Sequence, residues 1–360
     1  LKPNLLMGIA PDAAVTTHPA VLDAVLTLVR EAGGLPMVGD SPGIGELAGI
    51  AVRCGIKAVL DAHHVPLADF TSEYVFTCEE NVIGKRIALA RAVADADVII
   101  SLPKLKTHVQ MALTCAVKNQ YGLIPGVRKS QYHLRFKDRA TLADFIIDIN
   151  RIARPALAIV DAIDAMEGAG PSGGTPRRLG LLMASTDLMA LDLVACEITG
   201  IDPALVPTIQ AGRRQQFGAA ALSEITITGV DLADARVPDF RPVPHMKEIS
   251  DILPVPAFML AWLRRQWAPR PRINDAACIR CFACRTGCPV QPPAIDPARP
   301  RHARVNDRSC IRCYCCHEFC PAHAIMLKRS WLDRVISLTR VIDWCTRRAH
   351  RIIRWFLRRL

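Results

Sequence analysis

Strand-like and helix-like patterns alternate along the first 245 residues of the chain. Between residues 20 and 32, apolar side chains recur every three or four positions, which is the spacing of an amphipathic helix. Short apolar runs of the kind buried in parallel sheets separate such segments, as at 97–102. Other helices are predicted at 46–54, 142–152 and 188–199, and other strands at 35–39, 157–160, 179–183 and 225–228. This alternation predicts an α/β domain with a mostly parallel sheet flanked by helices.

Eight of the fourteen cysteines form two nearly identical runs near the C-terminus. Each run reads C-x-x-C-x-x-C-x-x-x-C-P, the spacing of bacterial two-cluster ferredoxins, in which the fourth cysteine of a run binds the other run's cluster. The predicted cofactors are therefore two [4Fe–4S] clusters. By this crossed rule, the ligands of one cluster are Cys278, Cys281, Cys284 and Cys320, and those of the other are Cys310, Cys313, Cys316 and Cys288.

A zinc or disulfide module is the alternative interpretation of these runs. Two C-x-x-C pairs suffice for a zinc ribbon, whereas each run here adds a third cysteine at the same step and a fourth before proline. The repeated pattern therefore favours iron–sulfur clusters. Cys315 lies outside the spacing that its neighbour Cys316 keeps, so we interpret it as a buried thiol and not as a ligand. The cysteines that occur singly are interpreted as core residues: Cys54, Cys78, Cys115, Cys196 and Cys345.

Composition divides the chain into a large acidic part and a basic C-terminal part. The chain has 360 residues and a net charge of +11. From residue 264 onward there are 21 Lys and Arg and 6 Asp and Glu, which leaves 24 and 28 in the preceding residues. The predicted units are the α/β domain at 1–245, a linker rich in proline and arginine at 246–272, a small α+β ferredoxin-like domain at 273–327, and a basic amphipathic helix at 328–360.

The C-terminal helix allows two interpretations. From 331 to 360, apolar residues recur every three or four positions, and arginines fill much of the remainder. Such a helix either binds a membrane surface or an acidic partner, or packs on its own domain with a solvated arginine face. No run reaches the roughly 18 apolar residues of a membrane span. The many unpaired thiols indicate a reducing compartment. We therefore expect a cytoplasmic protein with a peripheral membrane contact through this helix, and no binding to nucleic acid.

Cationic side chains follow the strand predicted at 97–102. Lys104, Lys106 and His108 alternate, so an extended segment would place all three on one side. They lie in a net acidic domain, and parallel sheets bind ligands at the carboxyl ends of their strands. We therefore predict a site for an anion such as a phosphate or a carboxylate. Closely spaced Lys and His would also support proton transfer there. The alternative interpretation is a solvated basic loop. The candidates are Lys104, Lys106, His108, Lys118, Asn119, Lys129 and His133.

Acidic residues follow the strand predicted at 157–160. Asp161 and Glu167 lead into a glycine-rich loop in which Gly168 and Gly170 would allow close approach of a ligand. The loop lacks the P-loop pattern and opens no helix, so we predict no nucleotide site. Asp161 and Glu167 are added to the candidate catalytic residues, and the two glycines to the candidate cofactor-binding residues. Asp187 is interpreted as a helix N-cap.

Several of these motifs resemble, in order, the bacterial and archaeal "domain of unknown function 362" family. They are Lys2-Pro-Asn-Leu-Leu, Thr16-Thr-His-Pro, Gly39-Asp-Ser-Pro-Gly, Pro103-Lys-Leu-Lys-Thr-His, Val117-Lys-Asn and the segment from Asp161 to Pro171. Members of that family are often fused to a two-cluster ferredoxin module, which the run from Cys310 to Pro321 resembles. The resemblance covers residues 1 to about 325 and implies an α/β domain followed by a ferredoxin domain. It supplies no established reaction.

The sequence favours an iron–sulfur oxidoreductase or electron-transfer protein. Its clusters would exchange electrons with an anionic substrate or cofactor bound by the α/β domain, and a redox partner protein is the other expected partner. Two alternatives remain open. One is a non-redox enzyme, such as a lyase or isomerase, with structural or sensory clusters. The other is a pure electron carrier whose α/β domain docks a partner.

Overall fold

The computed structural model describes residues 1–126, 128–136, 138–243, 266, 268–296 and 303–328. Most of the linker predicted at 246–272 and nearly all of the basic helix predicted at 328–360 lie outside these residues, as does Cys345. None of the helices within the described ranges is long and apolar enough to cross a membrane.

Strands and short helices alternate through the described residues. The strands are β1 (Lys2–Pro3), β2 (Glu73–Thr77), β3 (Arg86–Ala90), β4 (Ile100–Leu102), β5 (Lys104–His108), β6 (Ala112–Thr114), β7 (Leu157–Glu167), β8 (Thr175–Ser185), β9 (Arg270–Ile273), β10 (Ile295–Asp296), β11 (Arg304–Val305) and β12 (Ile325–Lys328). The α-helices are α1 (Pro19–Glu31), α2 (Leu47–Arg53), α3 (Ile56–Ala62), α4 (Arg91–Asp95), α5 (Ala116–Asn119), α6 (Arg128–Arg135), α7 (Arg139–Ala153), α8 (Leu188–Thr199), α9 (Pro207–Arg214), α10 (Leu232–Ala235), α11 (Ala283–Thr286) and α12 (Cys315–Glu318).

A mostly parallel sheet lies at the centre of the α/β domain, and β7 is its central strand. β4 and β5 follow one another along one edge of β7 and are both parallel to it. β8 pairs with the other edge of β7 and is antiparallel. Beyond β4 and β5, β1 pairs parallel with β4, and β6 pairs antiparallel with β5. The predicted α/β architecture is therefore confirmed.

Helices cover both faces of this sheet with separate apolar cores. On one face, α1, α2 and α3 pack around Leu102. On the other face, α5, α7, α8 and α9 pack against Ala158 and Val160 of β7. The intervening Ile159 packs against the first core. Burial on both faces explains why these strands are continuous apolar runs in the sequence.

Three predicted strands differ from the structure. The segment at 35–39 forms only an isolated bridge between Val38 and Leu67, and the segment at 225–228 forms no strand. Both are short apolar stretches with exposed members, Leu35 and Ile227, and periodicity alone does not separate such stretches from strands. The strand predicted at 157–160 instead continues to Glu167, because β8 turns back and pairs along its whole length.

The residues from 268 onward form a second unit, the cysteine unit, which has an internal repeat. One half is β9, α11 and β10, and the other is β11, α12 and β12. The halves interlock, since β9 pairs antiparallel with β12, and β10 pairs antiparallel with β11. Cys284 lies on α11 and Cys316 on α12, so the structural repeat follows the repeated cysteine runs. β9 begins at Arg270, so the unit starts before the boundary predicted at 273.

Candidate functional site

A cavity of about 80 Å³ lies where the α/β domain meets the cysteine unit. The ends of β1, β5 and β6, together with α5 and α6, form most of its wall, and α12 and its C-terminal end close it from the cysteine unit. Six of the site residues predicted from the sequence line it together: Lys106, His108, Lys118, Asn119, Lys129 and His133. We call this space the cationic cavity.

Two short helices bring the basic residues to the cavity. Lys129 and His133 are one turn apart on α6, so both side chains lie on the same face of the helix. Lys118 lies on α5, and Asp192 accepts hydrogen bonds from the first N–H groups of this helix. The Asp192 carboxylate accepts hydrogen bonds from the N–H of Ala116 at 2.7 Å and of the next residue at 3.3 Å. This buried carboxylate fixes the helix that carries Lys118.

Three of the four lysines of the cavity are held by protein acceptors. The Lys106 ammonium donates to Asn4 Oδ1 at 3.1 Å and to the Val15 carbonyl at 2.6 Å. The Lys129 ammonium donates to the carbonyls of Ser41 and Ile124. Each of these two ammonium groups therefore has one N–H left over, because an ammonium carries three.

The third lysine, Lys2, has no N–H to spare. It donates to Asp40 Oδ1 at 2.7 Å, to Asn119 Oδ1 at 3.2 Å and to the Pro3 carbonyl at 2.9 Å. Asn119 is occupied as well, since its amide nitrogen donates to the Lys2 carbonyl and to Ser101 Oγ. Although Asn119 was predicted as a cofactor-binding residue, its amide stabilises the cavity wall.

Lys118 differs from the other three lysines. Its ammonium lies 5.8 Å from the centroid of the Tyr121 ring and has no hydrogen-bond acceptor among the described residues. The Tyr121 hydroxyl turns away and donates to the Lys129 carbonyl at 2.7 Å. Lys118 is therefore the ammonium of the cavity with the most free donors.

His108 joins the sheet to the cysteine unit. Its Nδ1 accepts from the N–H groups of Gln110 at 3.1 Å and Met111 at 3.2 Å, which assigns the ring proton to Nε2. Nε2 lies 3.1 Å from Glu318 Oε1, although the N–H is not aligned as a full hydrogen bond. The backbone supports this contact, since Ser172 Oγ donates to the Glu318 carbonyl at 3.0 Å.

Four buried polar atoms of the lining have no hydrogen-bond partner among the described residues. They are Thr114 Oγ1, Ser130 Oγ, His133 Nδ1 and Glu318 Oε1. Buried polar atoms are nearly always paired in proteins, and each unpaired group costs about 1–3 kcal/mol. Their concentration around one cavity indicates a site for a polar ligand.

Burial sets the charge state of the cavity. It lowers the pKa of Lys129 to about 7, an effect that Asp40 opposes. Burial also lowers the pKa of Lys106 well below its ordinary value, and Lys118 adds to that shift while Glu318 opposes it. The pKa of His108 falls to about 4, again mainly through burial, so its imidazole is neutral at pH 7. Burial would raise the pKa of Glu318, but His108 and Lys118 together lower it to about 2.

Two predicted catalytic residues lie together, away from the cavity. Lys104 donates to Asp161 Oδ2 at 2.9 Å, and both side chains are fully buried. The same carboxylate oxygen accepts from the His18 N–H at 2.8 Å at the start of α1. The sequence placed Lys104 and Lys106 on one side by alternation. The Lys104 ammonium is taken up by its contact with Asp161, and of the two lysines only Lys106 lines the cavity.

The predicted acidic, glycine-rich loop is also structural. Both oxygens of Glu167 accept from Arg241, at 3.0 Å from the backbone N–H and at 2.6 Å from Nε. The N–H of Gly168 donates to the Arg241 carbonyl at 2.7 Å. Gly170 passes so close to the Thr107 carbonyl that a Cβ would collide with it. None of these three candidates lines the cavity, although the following Pro171 does.

Sequence reasoning missed several cavity residues. Lys2 and Asp40 line the cavity, yet in the sequence they stand out only as parts of the motifs that resemble the family. Glu318 lies between predicted cluster ligands, where attention falls on the cysteines. In the sequence it is visible only as a carboxylate between the predicted ligands Cys316 and Cys320.

The eight cysteines of the two runs are free thiols. Those predicted to hold one cluster line a single small apolar cavity, of about 20 Å³: Cys288, Cys310, Cys313 and Cys316. Apart from Tyr314, whose hydroxyl donates to the Pro269 carbonyl, the rest of the lining is apolar, and four convergent thiols are a donor set that selects iron–sulfur clusters or zinc. The residues present therefore fit the predicted cluster.

The other four cysteines are also close neighbours. Burial and the negative charges of Cys320, Cys281 and Cys278 raise the pKa of Cys284 to about 11. Iron ions would offset this repulsion between thiolates. Across the described residues, no three His, Cys, Asp or Glu side chains are arranged to hold a metal ion. The thiolates that bind a four-iron cluster lie farther apart than those that bind a single ion. The arrangement sought for a single ion therefore does not test cluster binding, which stays a prediction.

The two remote cysteines of the runs have matching environments. The N–H of Ala294 donates to Cys288 Sγ at 3.4 Å, and the N–H of Ala324 donates to Cys320 Sγ at 3.2 Å. In each run, the alanine follows shortly after the Cys-Pro pair. N–H donors to sulfur are among the features that set the potential of an iron–sulfur cluster.

Fold and site together define an α/β protein whose cationic cavity is closed by a cysteine-rich unit. The chain belongs to the family described as "Domain of unknown function (DUF362)", which matches residues 1–197. It is also similar to "Thylakoid-associated protein sll1697" of Synechocystis sp. (strain ATCC 27184 / PCC 6803 / Kazusa), with 41% identity over 227 residues that span 63% of this chain and 70% of that protein. The family resemblance is thus confirmed for the α/β domain, which contributes most of the cavity.

Proposed function

We propose that this chain is an iron–sulfur protein that exchanges electrons with a small anionic ligand in the cationic cavity. One observation carries the proposal. Cys315, Glu318 and Phe319 line that cavity, and they lie in the chain among the predicted cluster ligands Cys313, Cys316 and Cys320. The ligand cavity and the predicted cluster site are therefore separated by only a few residues of α12 and its ends.

The cysteine unit is proposed to be a bacterial ferredoxin-like domain. Its two halves of strand, helix and strand interlock as a repeat, which suits a protein that holds two equivalent clusters. Two [4Fe–4S] clusters, when bound, supply one-electron transfer. Cys278, Cys281, Cys284 and Cys320 would hold one of them, and Cys288, Cys310, Cys313 and Cys316 the other.

The α/β domain is proposed to bind and orient the ligand. Lys106, Lys118 and Lys129 offer free N–H donors to an anion, and His108 positions Glu318 at the boundary. The cavity is buried, so its charges are little screened by water and attract an anion more strongly than surface charges would.

The two halves of the cysteine unit differ in exposure. In the first half, Cys281 is exposed and is flanked by Ile279, 65% exposed, and Phe282, 43% exposed. In the second half, the residues equivalent to Phe282 and its neighbour, Tyr314 and Cys315, are buried. A redox partner protein is proposed to dock at the exposed first half, while the second half adjoins the cationic cavity.

A membrane-peripheral location is proposed for the basic segment at 331–360, which lies outside the described residues. A relative named as thylakoid-associated supports this part of the proposal. Liposome flotation of the full chain and of a chain that lacks 331–360 tests it, and equal flotation of the two contradicts it.

Anaerobic purification tests the iron–sulfur assignment. The protein should contain about eight irons per chain and show a broad absorbance near about 400 nm that dithionite bleaches. Joint replacement of Cys281 and Cys313 by Ser should remove much of that absorbance. A chain that binds zinc, or no metal, under these conditions contradicts the proposal.

A further inference from the structure

The hydrogen-bonding groups of the cationic cavity specify the chemistry of its ligand. The cavity offers many unused donors. Lys118 has three free N–H groups, Lys106 and Lys129 have one each, and the hydroxyls of Thr114 and Ser130 have no partner among the described residues. A ligand that satisfies them is rich in acceptors and carries negative charge.

The unpartnered Thr114 and Ser130 hydroxyls and His133 Nδ1 can each donate or accept, so the carboxylates are the lining groups that can only accept. Of its two carboxylates, Asp40 is occupied, because it accepts from Lys2, from the Leu5 N–H at 2.6 Å and from the Ser41 N–H at 2.9 Å. Glu318 Oε1 is buried, and the neighbouring His108 Nε2 at 3.1 Å is not aligned to donate to it. A bare anion placed against this oxygen would be repelled. The ligand must therefore present a hydrogen-bond donor to Glu318.

The ligand must therefore carry its negative charge and its hydrogen-bond donor on different atoms, and it must be small enough for the cavity. The volume of about 80 Å³ has room for roughly five to eight water-sized groups. A carboxylate with a neighbouring hydroxyl meets both requirements in about that number of atoms. Hydrogenphosphate also carries a donor and acceptors on different oxygens, but the described lining contains no arginine for bidentate phosphate binding, so phosphate is the competing ligand that the test includes.

We propose that the cationic cavity binds a small hydroxycarboxylate, whose carboxylate accepts from Lys118 and whose hydroxyl donates to Glu318 Oε1. Lys106 and Lys129 supply further donors to the carboxylate, and Ser130, Thr114 and His133 border the rest. This inference rests on the proposed function, since it names the ligand class of the same cavity. It makes Glu318, a residue of the cysteine unit, the group that selects the ligand.

Glycolate and acetate form a matched pair of probes, because they differ by one hydroxyl group. Their dissociation constants are measured by ligand-observed NMR on the oxidised full chain, with inorganic phosphate as a third probe. Glycolate should bind about tenfold more tightly than acetate or better, the factor that a hydrogen bond to a charged group provides. Equal binding of the two, or tightest binding of phosphate, overturns the proposal.

Variants assign the effect to named groups. Glu318→Gln keeps the shape of the side chain and should reduce the preference for glycolate severalfold, with acetate affinity unchanged or improved. Lys118→Met should weaken both carboxylates about tenfold or more. Lys57→Met, in an exposed ion pair with Asp61, is the matched control and should change neither. A preference that Glu318→Gln leaves intact overturns the assignment.

These measurements involve no electron transfer. If the hydroxycarboxylate assignment fails while the protein still contains reducible iron, the proposed function stands and only the ligand class is wrong. If the protein contains no iron but prefers glycolate, the binding site stands and the electron-transfer function fails.

Discussion

Glu318 Oε1 lies 3.1 Å from His108 Nε2, across the boundary between the α/β domain and the cysteine unit. His108 ends β5, whereas Glu318 ends α12, two residues from both Cys316 and Cys320. A side chain of the central sheet therefore holds the residue through which the cysteine unit reaches the cavity. Neither unit alone forms the complete cationic cavity.

Replacing His108 by Ala should lower the free energy of unfolding by about 1–3 kcal/mol. The N–H groups of Gln110 and Met111 lose the Nδ1 atom that accepts from both. His108→Asn should recover much of this loss, because Asn Oδ1 reaches a position close to that of Nδ1. Urea denaturation of the three proteins measures the difference. Equal destabilisation by both substitutions would show that Nδ1 does not support this turn.

Anion binding in the cavity should weaken as the pH rises through about 7. Burial lowers the pKa of Lys129 from 10.5 to about 7, so its ammonium is charged below that pH and neutral above it. A bound anion stabilises the ammonium form of Lys129, so above this pKa the lysine takes up a proton when the anion binds. The dissociation constant of glycolate should therefore rise by up to about tenfold per pH unit above this pKa. Calorimetry over a range of pH, in buffers of different ionisation enthalpy, measures both effects.

Lys129→Met provides the test of that assignment. The variant should bind glycolate weakly at every pH and lose most of the pH dependence between about 7 and 9. Lys2, Lys118 and Asp40 lie close enough to influence Lys129 and remain in the variant. A small residual dependence of the dissociation constant on pH is therefore expected. An undiminished slope in the variant assigns the proton to another group.

The fold and half of the site follow from local patterns in the sequence. The basic residues were predicted because Lys106 and His108 follow a buried strand, where α/β folds bind ligands. Glu318, which lies against His108, and the Lys2–Asp40 pair were not predicted, because these residues come from distant parts of the chain and meet only through tertiary packing. Lys104 was predicted with the other basic residues but does not line the cavity, because its ammonium is paired with the buried Asp161 carboxylate, a contact that also depends on tertiary packing.

Gly122→Ala should destabilise the protein by about 1–3 kcal/mol, because a Cβ at this position would collide with the Lys2–Asp40 ion pair. The substitution introduces no backbone strain, since Gly122 has no positive φ. The collision would instead displace the buried pair that forms one wall of the cavity. Thermal unfolding measures the loss, and weaker binding of glycolate should accompany it.

Gly49→Ala is the matched control for that substitution. Gly49 lies within α2, and a Cβ there meets nothing closer than 3.7 Å. This change should stabilise the protein by about 0.5–1 kcal/mol, since alanine favours a helix over glycine. Destabilisation of similar size by both substitutions would mean that Gly122 has no special relationship to the ion pair.

Cys315 and Cys316 are adjacent, and their substitutions should have different effects on the iron content. Cys316 lines the small apolar cavity together with Cys288, Cys310 and Cys313, whereas Cys315 lines the cationic cavity. Cys316→Ser should therefore reduce iron from about eight to about four per chain, while Cys315→Ser should leave about eight. Both positions lie on α12, so a general disturbance of that helix would lower the iron content of both variants alike. Retention of iron in Cys316→Ser with loss in Cys315→Ser would instead make Cys315 the ligand and place a cluster at the wall of the cationic cavity.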